Sequence, residues 1–318
     1  MDKITKIGGL VERARDAATE AKAPSTRRAY RTDWEAFTTW ADENGAAALP
    51  ARPDAVAAYV VQLDDVGRAP ATIDRVLVSI SQAHKLAGHP APTVSPLVRE
   101  TLKGIKRRRG TAQKKSAPIT VTHLRRMSET CDDSPRGLRD RALLLMGWAG
   151  GFRRSELVAL DVADVHPVDE GLRITLRRSK TDQQGAGRVL GIPFGKYQND
   201  GGTWPTCPVR ALNAWTEAAG IDGGPLFRSV RKGGNVATDR LSARSVDRIV
   251  RDLVAAAGYR PLNYSSHSLR SGFATAAAAA DVPERRIMDH TGHKSLAQVR
   301  DYIREGSIFV KNPLARLL

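Results

Sequence analysis

Cysteine is scarce in this chain. Among 318 residues only Cys131 and Cys207 occur, and they form no C-x-x-C pair. A disulfide framework and a cysteine-built zinc site are therefore excluded, and both thiols read as packing residues. Long apolar runs are absent as well. No stretch approaches the roughly 18 to 20 residues of a spanning helix, and the opening MDKITKIGGLVERARDAATEAK lacks a signal-peptide core. These absences predict a soluble, cytoplasmic protein with no membrane partner. Metal chemistry has little to draw on: there is no H-E-x-x-H, and His290 and His293, beside Asp289, have no third ligand at a suitable spacing. With no P-loop either, neither a metal nor another cofactor is expected.

Acidic residues are outnumbered, 34 against 50 Lys and Arg, for a formal net charge of +16. An anionic polymer rewards many dispersed cations, so nucleic acid is the leading partner; an anionic membrane surface is the rival explanation of the charge. The length allows two domains, each burying its own core. Composition changes between residues 103 and 117, where Lys103, Lys106, Arg107, Arg108, Arg109, Lys114 and Lys115 occur without an acidic residue and Gly110 and Pro118 interrupt helical periodicity. The expected organisation is a first domain over 1–106, a basic linker over 107–117 lying along a phosphate backbone, and a second domain over 118–318. A solvated loop is the plainer explanation of the same charge run.

The first domain reads as helical. Ser25 is a candidate N-cap, followed by an apolar stripe of Tyr30, Trp34, Phe37 and Ala41, with Arg28 and Arg31 to one side. A further helix is expected from about Thr72 to Gly88, with Ile73, Val76, Leu77, Ile80 and His84 inward and Arg75, Ser79, Gln82 and Lys85 on the other face. His84 reads as a core histidine. The polar faces are either solvated or laid against a DNA groove, with arginines on phosphates and Ser79 or Gln82 near base edges.

In the second domain, RALLLMGWAGGFRRSELVAL predicts a nearly wholly apolar helix, a break at Gly150-Gly151 and a new helical start at Arg153, with Glu156 placed to pair with it. Leu172, Ile174 and Leu176 alternate with Arg173, Thr175 and Arg177 as in a half-buried strand, and RVLGIP resumes an extended pattern, so Lys180 falls near the end of a β-hairpin. His267 and Arg270 are three apart and share a helix face, continued by the small residues of SGFATAAAAA. Pro283 opens a short helix containing Ile287 and Met288. Ser295 and Gln298 form a candidate capping box for the last helix, which buries Leu296, Val299 and Ile303 and carries Tyr302 on its flank. Taken alone, Tyr302 reads as a core aromatic and Lys180 as a surface lysine. The apolar tail GSIFVKNPLARLL, with Ile308, Phe309, Val310, Leu314, Leu317 and Leu318, must bury its surface on its own domain or on another protomer.

Phosphoryl transfer without a metal requires cations for the phosphate oxygens, an in-line nucleophile and an acid for the leaving oxygen. Two arginines, a lysine, two histidines and a tyrosine can supply all three. The segments GFRRSEL, SKTD, HSLRSGFAT, TGHKS and VRDYIR, in this order, resemble the tyrosine recombinase (phage integrase) family, and the general plan is closest to Cre-like recombinases. STRRAYRTDWEAFTTWADENG and ATIDRVLVSISQAHKLAGHP look like that family's helical core-binding domain, so the resemblance covers nearly the whole chain.

The resemblance implies a mainly α fold with a small β-sheet: an N-terminal helical (SAM-like) core-binding domain and a C-terminal catalytic domain, closing as a C-shaped clamp on duplex DNA. It implies site-specific recombination through a 3′-phosphotyrosine at Tyr302 and a Holliday junction. By the same matching, Arg153 and Arg270 hold phosphate oxygens, Lys180 protonates the departing 5′ oxygen, His267 handles protons near the nucleophile, His293 bonds the scissile phosphate, and Glu156 supports the site. Arg28, Arg31, Arg75, Ser79, Gln82, Lys85, Lys106, Arg107, Arg108 and Arg109 are the candidate DNA contacts. The implied partner is double-stranded DNA with an inverted-repeat site, bound by a homodimer and paired in a homotetramer, in association with the nucleoid. A type IB topoisomerase or telomere resolvase would share the chemistry, and a non-catalytic architectural protein only the charge.

Overall fold

A computed structural model describes residues 22–111, 116–177, 187–195, 206–293 and 295–307, together with residues 9, 10 and 13; at Gln298 and 303–307 it describes the backbone alone. The chain forms two compact units, one through Lys114 and one from Lys115.

Between residues 22 and 111 the first unit is built on the α-helices α1 (Pro24–Glu43), α2 (Pro53–Asp65), α3 (Pro70–Leu86) and α4 (Pro96–Arg109). Each begins on a proline, whose fixed φ and missing N–H suit the first helical turn. This displaces two expected starts: Ser25 lies inside α1 rather than capping it, and α3 begins two residues before Thr72. Phe37, Val56, Tyr59, Val60, Ile73, Ile80 and Val98 make the core, with Trp34 and Trp40 against it. His84 is part of that interior: its Nε2 accepts from Ala51 N–H at 2.8 Å and its Nδ1 donates to Ile80 O at 2.8 Å.

The basic segment differs from the expected linker. Arg107, Arg108 and Arg109 complete α4, which stops only at Gly110 with its positive φ of 74°. Lys106 pairs with Asp74 at 2.8 Å, Arg108 with Asp64, and Arg109 with Asp64 at 2.8 Å and with Arg68 O at 2.9 Å. These cations serve the first unit itself. Their acidic partners stand more than 30 residues away in sequence, which is why the run looked unopposed.

The second unit is mostly helical. It opens with α5 (Val121–Glu129), α6 (Pro135–Ala149) and α7 (Arg154–Ala159), followed by an antiparallel sheet of β1 (Val165–Val168), β2 (Gly171–Leu176) and β3 (Arg188–Pro193) in that spatial order. Leu172, Ile174 and Leu176 face inward as their alternation requires. Then come α8 (Pro208–Ala218), a two-stranded sheet of β4 (Arg228–Val230) and β5 (Val236–Arg240), α9 (Ala243–Ala256), α10 (His267–Ala279), α11 (Glu284–Thr291) and α12 (Leu296–Ser307). The second sheet has no counterpart in the sequence reading.

Leu143, Leu144, Leu145 and Met146 of α6 are all buried in the main core with Phe152, Trp215, Phe227 and Leu269. Gly272 lets α10 press close to residue 119: a Cβ there would sit 2.1 Å from Ile119 O. A smaller cluster of Ala274, Ala278, Ile287 and Val299, with Tyr302 against it, joins α10, α11 and α12. Leu296 is exposed rather than buried, because it stands at the first turn of α12, ahead of the contact made by Val299. Ile303 and Gln298 fall among the undescribed side chains.

Candidate active site

The site is assembled where α6, α10 and α11 end or begin. After α6, Gly150 caps the helix and Gly151 takes φ 55°, turning the chain so that Arg153 becomes the N-cap of α7. A cation there opposes the helix dipole. Glu156 compensates from inside the first turn: its carboxylate accepts from Arg153 N–H at 2.9 Å and from Arg153 Nη1 at 2.6 Å, with only 1% of the Glu156 side chain exposed. Arg153 Nη2 reaches Gly292 O at 3.4 Å.

The start of α10 is fixed by short polar groups. Ser265 Oγ accepts from His267 N–H at 3.2 Å, and Asp247 on α9 accepts from Ser266 N–H at 2.9 Å. His267 and Arg270 are thereby turned to one side, as their spacing requires. Arg270 is 1% exposed. Its Nη1 donates to Gly151 O at 2.7 Å and Thr291 O at 2.5 Å, and its Nε to His293 Nε2 at 3.3 Å. Its Nη2 is buried and meets no acceptor among the described residues. Burial, and then the neighbouring Arg153, lower its pKa to about 10, so the guanidinium stays charged at neutral pH.

Gly292 ends α11 in the left-handed conformation, φ 68°, ψ 39°, which folds His293 back over the helix end. His293 is 8% exposed, with Nδ1 2.7 Å from Thr291 Oγ1. Burial, reinforced by Arg270 and Arg153, pushes its pKa down to about 3, and the ring is neutral. The Tyr302 hydroxyl lies 2.8 Å from His267 Nε2, and the Tyr302 ring is 5.7 Å from that of His293. His267 keeps part of its surface in solvent. Its pKa is nonetheless lowered, by burial of the remainder first and then by Arg270 and Arg153, so Nε2 faces the phenol as a neutral imidazole nitrogen.

Five of the six expected catalytic residues, with Glu156, therefore converge. Lys180 lies outside the described residues. His290, weighed above as a metal ligand, places Nε2 2.8 Å from Ala149 O and stacks on Phe273 at 4.4 Å. Sequence reasoning missed Arg188 on β3, which donates to Asp289 O at 3.1 Å and to His290 O, holding the turn that carries His293. Nothing local signals such a reach across about 100 residues. It also missed Thr291 and Asp247, which position His293 and the start of α10. Arg244, Arg248 and Arg251, exposed on α9 opposite the buried Val246, Ile249, Val250 and Leu253, were legible as a basic stripe at helical spacing.

The candidate DNA contacts of the first unit separate. Arg28, Arg31 and Lys85 are exposed. Ser79 is not available to a base: it is 2% exposed and bonds Asp33 at 3.1 Å. Arg75 grips the same carboxylate with two bonds of 2.9 Å, and Gln82 accepts from Lys22 at 2.6 Å. Asp33, buried on α1, draws α3 against it, and that pairing takes Ser79 off the expected open polar face while Arg75 stays exposed with its guanidinium on the carboxylate.

A profile of the phage integrase family matches residues 117–307. The chain belongs to that family. The chain is 37% identical over 302 residues to an integrase/recombinase XerD homolog of Selenomonas ruminantium, covering 94% of this chain and 86% of that one. It is 26% identical over 287 residues to recombinase Cre of Escherichia phage P1, covering 84% and 80%. Among solved structures, a lambda integrase dimer bound to a COC′ core site matches with a TM-score of 0.60 at 18% identity, over 93% of this chain and 76% of that one. XerH bound to a palindromic difH substrate matches with a TM-score of 0.56 at 19% identity, over 83% and 70%. The mainly helical integrase fold is thus shared, and the chain is a tyrosine-type site-specific DNA recombinase.

Proposed function

We propose that the integrase cleaves and rejoins duplex DNA through a 3′-phosphotyrosine at Tyr302 and exchanges strands between two inverted-repeat sites by way of a Holliday junction. The observation that carries this reading is the Tyr302 hydroxyl, 2.8 Å from His267 Nε2, on the helix that also carries the buried donor Arg270 Nη2. His267 takes the phenolic proton as the oxygen attacks phosphorus. The bond from phosphorus to the 5′ oxygen breaks, and Lys180 gives that oxygen its proton. Arg153, Arg270 and His293 hold the nonbridging oxygens as charge develops, with Glu156 keeping Arg153 in place. The phosphotyrosine conserves the bond energy, and attack by a second 5′ hydroxyl reverses the step.

Arg28, Arg31 and Lys85 in the first unit and Arg244, Arg248 and Arg251 in the second are the cations we assign to DNA. Solved relatives by fold include a lambda integrase tetramer bound to a Holliday junction. A homodimer on each site and a homotetramer at synapsis, joined by the apolar tail 306–318, are the assemblies we assign to this chain, in the nucleoid. A nicked duplex, selected from a random pool by its affinity for the full chain, provides the test. Wild-type protein accumulates a covalent adduct and Tyr302→Phe forms none. An adduct with the phenylalanine variant sinks the reading.

A further inference from the structure

Thr291 touches two residues of the site with two different atoms. Its carbonyl accepts from Arg270 Nη1 at 2.5 Å, and its hydroxyl lies 2.7 Å from His293 Nδ1 and 2.6 Å from Ile287 O. It is fully buried, so water does not substitute for these partners. The protons can be placed by elimination. Arg270 Nε can only donate, so His293 Nε2, its acceptor at 3.3 Å, carries a lone pair. A neutral imidazole has a single N–H, which then sits on Nδ1 and donates to Thr291 Oγ1; the hydroxyl gives its own proton to Ile287 O.

We infer that Thr291 is a positioning residue that keeps His293 hydrogen-bonded in the tautomer Arg270 imposes on the free protein and lets that tautomer change when the scissile phosphate arrives. The inference rests on the proposed contact between His293 and a nonbridging phosphate oxygen. That contact needs a proton on Nε2, the nitrogen that has none in the free protein. A hydroxyl is suited to both states because it accepts and donates. Rotated toward Nδ1, Thr291 holds the Nε2–H tautomer as firmly as it held the other. Ile287 O, four residues back in α11, still accepts the backbone N–H of Thr291. The exchange takes one solvent proton at Nε2 and returns one from Nδ1 as the ring of His293, itself 8% exposed, turns toward solvent between the two states, leaving the ring neutral. Arg270 Nε, freed from the lone pair, points its N–H at the same phosphate.

The test uses nitrogen-15 histidine NMR on the full chain. In the free wild type, His293 should give a protonated Nδ1 and an unprotonated Nε2. Bound to the selected nicked duplex, with Tyr302→Phe to prevent cleavage, the two signals should exchange character. Thr291→Ala should leave the free tautomer in place, since Arg270 still donates to Nε2, but should broaden the duplex-bound signals between the two forms and lower adduct formation about 10-fold with duplex affinity unchanged, as for other residues that orient a histidine, and Thr291→Ser should restore both. Thr291→Val, which keeps the methyl packed 3.0 Å from where a Cβ on Gly151 would sit, repeats the loss without the cavity. A tautomer indifferent to the duplex, or alanine and valine variants that cleave like wild type, overturns the inference. Absence of a wild-type adduct defeats the proposed function instead, while the duplex-bound spectra of wild type and variants still decide whether Thr291 lets the tautomer change.

Discussion

Arg75, Arg108 and Arg109 of the first unit and Arg270 of the second are held in opposite ways. In the first, Arg75 closes on Asp33, and Arg108 and Arg109 on Asp64, so each guanidinium meets a carboxylate. In the second, Arg270 is oriented by the carbonyls of Gly151 and Thr291 and by a histidine nitrogen, none of which carries a full charge. A carboxylate cancels the cation it orients; a carbonyl orients it and leaves the charge for an incoming anion. Arg153 lies between the extremes, with one nitrogen on Glu156 and another on Gly292 O. The difference teaches that position in the fold, more than residue type, separates cations that hold the structure from cations that serve a substrate.

The largest expected effect comes from disturbing the uncancelled cation. Arg270→Lys keeps the charge but loses the planar fork, and should lower the rate of adduct formation by about 10³-fold, with DNA affinity nearly unchanged. A lysine variant within tenfold of wild type would mean that charge alone suffices and that the carbonyl cradle is incidental.

Next in size is a pH effect on stability. Burial, and then Arg270 and Arg153, hold the His293 pKa at about 3, while the unfolded chain returns it to its ordinary value of about 6.5. Above pH 6.5 both states are neutral there and nothing changes. As pH falls through 6.5, the unfolded chain binds a proton that the folded chain refuses, so the folded state loses stability progressively until pH reaches about 3. Between pH 7.5 and 5 the loss from this group should be about 2 kcal/mol, and urea unfolding of His293→Gln should show a correspondingly shallower decline. Identical pH slopes for both proteins would refute the assignment.

The smallest effect is expected in the first unit. Asp33→Asn leaves Ser79 and Arg75 without their shared carboxylate and should cost about 1–2 kcal/mol in urea unfolding, with adduct formation per folded molecule unaffected. A gain in DNA affinity with no loss of stability would show instead that Arg75 belongs among the DNA contacts.

These contrasts mark what the sequence made legible. Apolar periodicity identified α1, α3, α6 and β2, and the resemblance of the segments around His267, Arg270, His293 and Tyr302 to the tyrosine recombinase family pointed to most of the site, because regular repeats and short motifs survive in one dimension. Asp33 was invisible as a partner: it lies between Arg31 and Trp34 in sequence, yet its carboxylate meets Arg75 and Ser79 more than 40 residues away. Arg188 and Thr291 escaped notice for the same reason, since their roles depend on carbonyls and a ring nitrogen, which every sequence contains everywhere. The proline starts were legible and were overlooked in favour of Ser25 and Thr72.

Holding Arg270 by the ends of two separate helices has a consequence for safety. Gly151 follows α6 and Thr291 closes α11, so the guanidinium is aimed only while both termini are formed. Fraying of either one releases the cation before the remainder of the domain unfolds. A nascent, damaged or partly melted molecule would then retain affinity for DNA through its surface charge while lacking the means to cut it, and strand breakage would be confined to chains whose fold is complete.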